Sequence, residues 1–324
     1  MGGNNVKKNG LSNKAKNLFH RQEMLTLIAF IVLGLFMSIA SDRFLSSANL
    51  FNVARQISIN GILAVGMTFV ILSSGIDLSV GSVMAFSGTI MAGGMVNMGL
   101  PPIMAVLLGF AVGSLIGFVN GFLVSYGRIP AIIVTLAMME IPRGLGLLYT
   151  GGYPLSGLDP SFSYIGRGYI GPFPVPVVIM AAVYILAYII LNHMPLGRYI
   201  YAIGGNEEAV RLSGIKVKKV KIIAFLISGF TASVAGLIMT SRLMSGQPNA
   251  GVGFELDAIA AVVLGGTDIA GGRGHIFGTL LGAAIMGVLA NGLNLMGISP
   301  YVQRIFKGLI IILAIAYSNY KKED

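Results

Sequence analysis

Apolar runs of about 18 residues or more follow one another from Met24 almost to the end of the chain, parted by short polar or glycine-rich breaks. A helix needs roughly 20 such residues to cross the hydrocarbon core of a bilayer. The runs are rich in Leu, Ile and Ala and do not alternate, so they signal membrane helices rather than the strands of a barrel. Charge agrees with this. Only 10% of the residues are charged, against roughly 25% in soluble domains, too few to coat a water-facing surface. The expected fold class is all-α, a polytopic transmembrane helical bundle of about ten membrane segments.

The candidate segments are 24–41, 50–73, 76–97, 102–125, 129–149, 174–192, 217–240, 254–267, 274–296 and 300–318. They form one membrane domain, 24–318, between a basic tail at 1–23 and a short tail at 319–324. The 254–267 segment is too short to cross and reads as a half-helix or re-entrant element. Residues 151–176, rich in glycine and proline, read as an external loop with Tyr153, Tyr164 and Tyr169 near the interface. Gly109, Gly113, Gly117 and Gly121, and again Gly278 and Gly282, have the spacing that lets membrane helices pack closely.

The net charge of +10 comes from residues beside apolar spans, so it reports topology rather than nucleic-acid binding. Lys7, Lys8, Lys14, Lys16 and Arg21 lie in the N-terminal tail, and Lys321 and Lys322 in the C-terminal one. The 193–221 loop carries Arg198, Arg211, Lys216, Lys218, Lys219 and Lys221. The positive-inside rule places all three regions in the cytoplasm. The first apolar run has full spanning length and lacks the cleavage site of a secretory peptide.

Two segments break their apolar runs in the same manner: VILSSGIDLSVGSVMAFSGTI at 70–90 and VVLGGTDIAGGRGHIFGTLLG at 262–282. Gly75, Asp77 and Gly81 punctuate the first; Gly266, Asp268, Gly272 and Gly274 punctuate the second. Paired interruptions in the two halves of a membrane chain point to a transporter with an internal repeat, parallel or inverted. A carboxylate at such a seam needs protein or water around it. Asp77 and Asp268 can cap the helix that follows, act in gating, or contact solute.

The long loop reads PLGRYIYAIGGNEEAVRLSGIKVKKVK at 195–221. Gly204 and Gly205 break the chain, Asn206 is a good N-cap, and Glu207 and Glu208 suit the first turn of a helix. Gly214 suits a left-handed stop. The spacing predicts a short helix over Asn206 to Ser213. It is too short to be stable alone, so it lies on the lipid surface or docks a partner.

GGNEEAVRLSGI resembles the coupling-loop motif of permease subunits of ATP-binding-cassette monosaccharide importers, the ribose, xylose and galactoside group. SSGIDLSVGS and VVLGGTDIAGGRGHIFGT resemble that group's other signatures, and the similarity runs from about Arg21 onward. The resemblance implies a subunit of the bacterial inner membrane that pairs with a second permease chain, often a copy of itself. Cytoplasmic ABC ATPases would dock on Gly205, Asn206, Glu207, Ala209, Arg211 and Gly214, and an extracytoplasmic sugar-binding protein would deliver the solute. No GxxxxGK[ST] loop occurs, so ATP and magnesium would belong to the ATPase, with no cofactor in this chain. Branched-chain amino-acid and autoinducer-2 permeases share the broad family, and a secondary transporter is the rival class.

Enzyme chemistry finds no support. Cysteine is absent, and His20, His193 and His275 are scattered without metal-ligand spacing. Glu140 and Arg143, three apart in one span, are expected to neutralise each other. Glu255 and Asp257 read as helix-start charges. Arg304 and Lys307 fall inside the last span, either facing the bundle interior or snorkelling.

Overall fold

The computed structural model describes residues 24–323; the basic tail at 1–23 and Asp324 lie outside the described residues. Twelve helices follow in chain order. They are α1 (Met24–Ala40), α2 (Ser47–Leu72), α3 (Val80–Val96), α4 (Pro102–Ser125), α5 (Ala131–Thr150) and α6 (Ser163–Arg167). Then come α7 (Val175–His193), α8 (Pro195–Leu212), α9 (Val217–Leu243), α10 (Phe254–Leu264), α11 (Ile276–Leu295) and α12 (Pro300–Glu323). Among the described residues six of them, α2, α4, α5, α7, α9 and α11, are long and apolar enough to cross a bilayer, and α1 and α3 are shorter apolar helices. Helices of full spanning length therefore do not reach the expected figure of about ten.

Burial sorts the helices into an inner and an outer set. Within their apolar windows α2 is 83% buried, α11 72% and α9 67%, whereas α5 is only 22% and α7 28%. The inner helices bury hydroxyls along with their apolar side chains. Thr68 of α2 meets Thr279 of α11 at 2.9 Å, so neither hydroxyl is left unpaired in an apolar surrounding.

The glycine series of α4 packs within the subunit. Gly113, Gly117 and Gly121 lie against Gly229, Phe225 and Ile222 of α9, where an added Cβ at Gly113 would stand 2.6 Å from that of Ser233. Gly278 and Gly282 of α11 lie in the same way against Gly265 and Ala261 of the α10 segment. Small residues allow the backbones this approach, and dispersion over the long contact replaces the missing side chains.

The 254–267 segment is a half-helix, as its length requires. α10 has eleven residues, about 16 Å at 1.5 Å per residue. Before it the chain descends along α3 through a short strand and a series of turns: Gly246 faces Thr89 and Ala92, and Gly251 faces Gly81 and Met84. The descent covers about 16 Å of α3.

One expectation needs correction and two gain detail. Residues 151–176, read as an external loop, carry short elements of their own. They fold into a cap with two short strand pairs, β1 (Leu155–Ser156) on β4 (Ser245–Gly246) and β2 (Tyr169–Ile170) on β3 (Phe173–Pro174). Buried Leu158 and Phe162 anchor it. Arg143 does not pair with Glu140: its Nη1 donates to the carbonyls of Pro248 and Ala250 at 2.8 and 2.6 Å. The turns of the descent have carbonyls with no helical partner, and a guanidinium satisfies two of them. Lys307 gains a role, since its Nζ lies 2.7 Å from buried Asp257 in the first turn of α10.

Gly117→Val should force α4 away from α9. Its thermal midpoint in detergent is expected to fall, with a cost of about 1–3 kcal/mol for overpacking; an unshifted midpoint would show that the α4–α9 contact tolerates a side chain.

Candidate functional site

The sequence singles out three separate elements, the two broken segments and the loop helix, and the fold brings all three to one end of the bundle. After Leu72 the chain turns through Ser73, Ser74 and Gly75, with the Ser74, Gly75 amides bonded back to Ile71 and Val70. Ser74 adopts a left-handed φ of 61°, a conformation uncommon for a residue with a Cβ. Its hydroxyl compensates by donating to Ala270 of the second broken segment at 2.8 Å and to Gly204 of α8 at 3.4 Å. The Gly272 amide donates to the Leu72 carbonyl, an orphan acceptor at the end of α2, at 3.0 Å.

Gly204 and Gly272 are glycine for a steric reason. A Cβ on Gly204 would collide with the Leu72 carbonyl and the Gly272 backbone, and one on Gly272 would stand 2.6 Å from the Gly205 amide. Gly272 also needs its left-handed φ of 71°. Tyr201, one turn earlier in α8, donates its hydroxyl to Gly274 at 2.9 Å. Burial pushes that phenol up to about 12, so it keeps its proton. Gly266 is left-handed as well and turns the chain out of α10.

The two aspartates differ. Asp77 is buried. Its Oδ1 accepts from the amide and hydroxyl of Ser79, at 3.0 and 2.5 Å, and its Oδ2 accepts from Ser228 of α9 at 2.7 Å. Ser79 Oγ in turn accepts from Asn120 of α4 at 2.9 Å. The carboxylate thus ties the start of α3 to α9 and, through Ser79, to α4. Gly81, one turn on, faces Gly251 and the Glu255 carboxylate. Asp268 makes a local turn instead, accepting from the Ala270 amide at 2.9 Å while its own amide donates to Arg273.

The loop helix starts where its sequence places it. Asn206 leaves helical geometry (φ −161°, ψ 97°) and its Oδ1 accepts from the Ala209 amide at 3.0 Å. Gly214 takes a φ of 85° beyond the far end. The short helix does not stand alone, however. A first section of α8 from Pro195 precedes it and carries Gly204 onto the seams. Glu207 reaches Lys221 of α9 at 2.5 Å, and Glu208 takes both Nε and Nη2 of Arg211. The Arg211 hydrogen bond holds the Glu208 carboxyl below its ordinary 4.5. A carboxyl lowered on folding stabilises above its ordinary value and loses that contribution as pH falls through the lowered one. The Glu208–Arg211 pair therefore persists across the neutral range.

Beside this junction opens a cleft of about 1120 Å³ walled by Ser74, Tyr126, Arg128, Arg211, Lys216 and Ala270, among others. Lys218 stacks on Tyr126 at 4.4 Å, binding the end of α4 to the start of α9. Sequence reasoning passed over Ser74, Tyr201 and Ser228. Only the pair Ser73-Ser74 carried a local signal, as part of the break itself.

A bundle whose interrupted segments meet under one surface helix is built to move solute, and the chain is the membrane component of a transporter rather than an enzyme. It belongs to the family of branched-chain amino acid transport system permease components, matched over residues 49–315. It is 50% identical over 304 residues to the ribose import permease protein RbsC of Escherichia coli K12, covering 93% of this chain and 94% of that one. The Bacillus subtilis ribose import permease protein is 45% identical over 302 residues, 93% and 94% of the two chains. The L-arabinose transport system permease protein AraH of Escherichia coli K12 is 38% identical over 297 residues, 92% and 90%.

Asp77→Asn keeps the shape of the side chain but replaces one acceptor oxygen by a donor. The variant is expected to reach the membrane and to transport solute more slowly; uptake at the wild-type rate would remove any role for the carboxylate in movement.

Proposed function

We propose that the chain is the permease subunit of an ATP-driven importer for ribose in the bacterial cytoplasmic membrane. The observation that carries the substrate is the identity of about half of all residues with ribose permeases over nearly the full length of both chains. Two copies of this chain form the membrane pair, and two ABC ATPases bind ATP and magnesium beneath them. A sugar-binding protein delivers ribose from the far side.

The coupling element is the capped helix with Gly205, Asn206, Glu207, Ala209, Arg211 and Gly214. Its end of the bundle faces the cytoplasm, together with both termini, because Arg128, Arg198, Arg211 and Lys216 to Lys221 concentrate there. The broken segments carry the gate through Gly75, Asp77, Gly81, Gly266, Asp268, Gly272 and Gly274. When the ATPases close they displace the capped helix. The section before Asn206 transmits that displacement to the seams, since Gly204 and Gly205 touch Leu72 and Gly272 directly. No bond in the sugar changes.

The chain purified with its ATPase and binding protein and reconstituted in liposomes should accumulate labelled ribose only when ATP is supplied. It should favour ribose over xylose and arabinose. Accumulation without the ATPase, or none with the full complex, would overturn the assignment. Gly204→Val, which wedges α8 off the seams, should keep ATP hydrolysis while uptake falls about tenfold or more, the ratio of sugar moved to ATP spent being the readout.

A further inference from the structure

A carboxylate lies open at half-depth of a membrane-length helix. α5 has 20 residues, and Glu140 is the tenth, so it stands about 15 Å from either end of a segment that just spans the hydrocarbon core. Glu140 is exposed and takes part in no hydrogen bond or ion pair among the described residues. A charge at that depth does not face lipid; it faces protein or water.

Its surroundings are those of a polar path. One turn along the same face, Arg143 grips the carbonyls of Pro248 and Ala250, and Glu255 is the other carboxylate near enough to act on its charge. Between the two gripped carbonyls Asn249 is exposed. Glu255 opens α10 halfway through the bundle, level with Gly81 at the start of α3. Buried Ser82 marks the same level, since its hydroxyl, which donates to Ser79 at 2.9 Å, also lies 3.4 Å from the Met138 carbonyl of α5. The open face of α5 and the descent before α10 thus place a guanidinium between an exposed carboxylate one turn away on its own helix and an exposed amide on the segment it grips.

From this arrangement we infer that Glu140, with Arg143 and Asn249 beside it, lines a water-filled passage at mid-membrane and hydrogen-bonds the hydroxyls of the sugar as it crosses. A neutral polyol matches the set, because carboxylate and amide oxygens accept from hydroxyls while guanidinium and amide N–H groups donate to them. The sites are few and open, which suits a solute that must leave as readily as it enters. The ribose assignment rests on the function proposed above; the watery passage does not.

The chain has no cysteine, so single substitutions can be probed in an otherwise unaltered protein. Glu140→Cys, Gly144→Cys and, on the exposed face of α4, Leu115→Cys are assembled with ATPase and binding protein in liposomes. Each is treated with a charged, hydrophilic thiosulfonate and followed by mass. Gly144 is one turn from Glu140, and a Cβ there meets nothing within 4 Å. Positions 140 and 144 should label and 115 should not, and modification at 144 should block uptake. Separately, Glu140→Ala should lower ribose uptake about tenfold, the loss of a charge-assisted hydrogen bond, with ATP hydrolysis retained.

Labelling of 140 and 144 by a lipophilic maleimide but not by the charged reagent would place them in lipid. Labelling by neither would place them in a dry contact between subunits. Either result overturns the inference, as does full uptake by Glu140→Ala. A wild-type complex that labels at these positions in its cysteine variants yet moves no ribose would sink the sugar and keep the passage.

Discussion

Interrupting a helix inside a membrane leaves amides and carbonyls that no lipid can satisfy, and the structure is organised around meeting that demand. Each interruption is answered by another. The carbonyl that α2 leaves free at Leu72 takes the amide of Gly272, and the carbonyl of Ala270 takes the hydroxyl of Ser74. The irregular run before α10 hands two carbonyls to Arg143. The two broken segments therefore support each other, in addition to the ties that Asp77 makes to Ser228 and Gly274 to Tyr201.

This dependence explains the distribution of rigidity. The α4–α9 seam, α2 and α11 are packed through glycines and hydroxyls that bond within the helix or across to a neighbour. Against this frame stand two elements held chiefly by polar contacts, the turn at Ser74 and the loop 265–275; the first section of α8 bears on both and is anchored by buried Ile200 and Ile203. A small set of hydrogen bonds between backbone groups can be exchanged for another at low cost, whereas interdigitated side chains resist gradual deformation. The proposed mechanism accordingly concentrates motion where the chain is broken.

Much of this was legible in the residues. Run length and charge gave the helical bundle, the brevity of the 254–267 run marked a half-helix, and the Asn206 cap and Gly214 stop lie where their chemistry put them. Gly204 and Gly205 misled. Two glycines cost a helix roughly 1 kcal/mol each relative to alanine, and from local propensity they read as a break. α8 nevertheless runs through both to Asn206. Only a bare backbone fits at Gly204, between Leu72 and Gly272, and that tertiary contact outweighs the local preference, whereas a side chain at Gly205 would meet open space. Arg143 was misread for a related reason. Its sequence neighbour Glu140 was in view, but the carbonyls it serves are about a hundred residues away. Ser228 is likewise an ordinary serine of an apolar helix until Asp77 arrives beside it.

Tyr201 and Gly204 sit on the same short stretch of α8, yet one holds Gly274 and the other lies between Leu72 and Gly272. In the proposed transport cycle the first section of α8 would therefore bear on both broken segments at once. Such a linkage would disfavour states in which one segment yields while the other stays shut. A pore that must never stand ajar at both ends has good use for that synchrony.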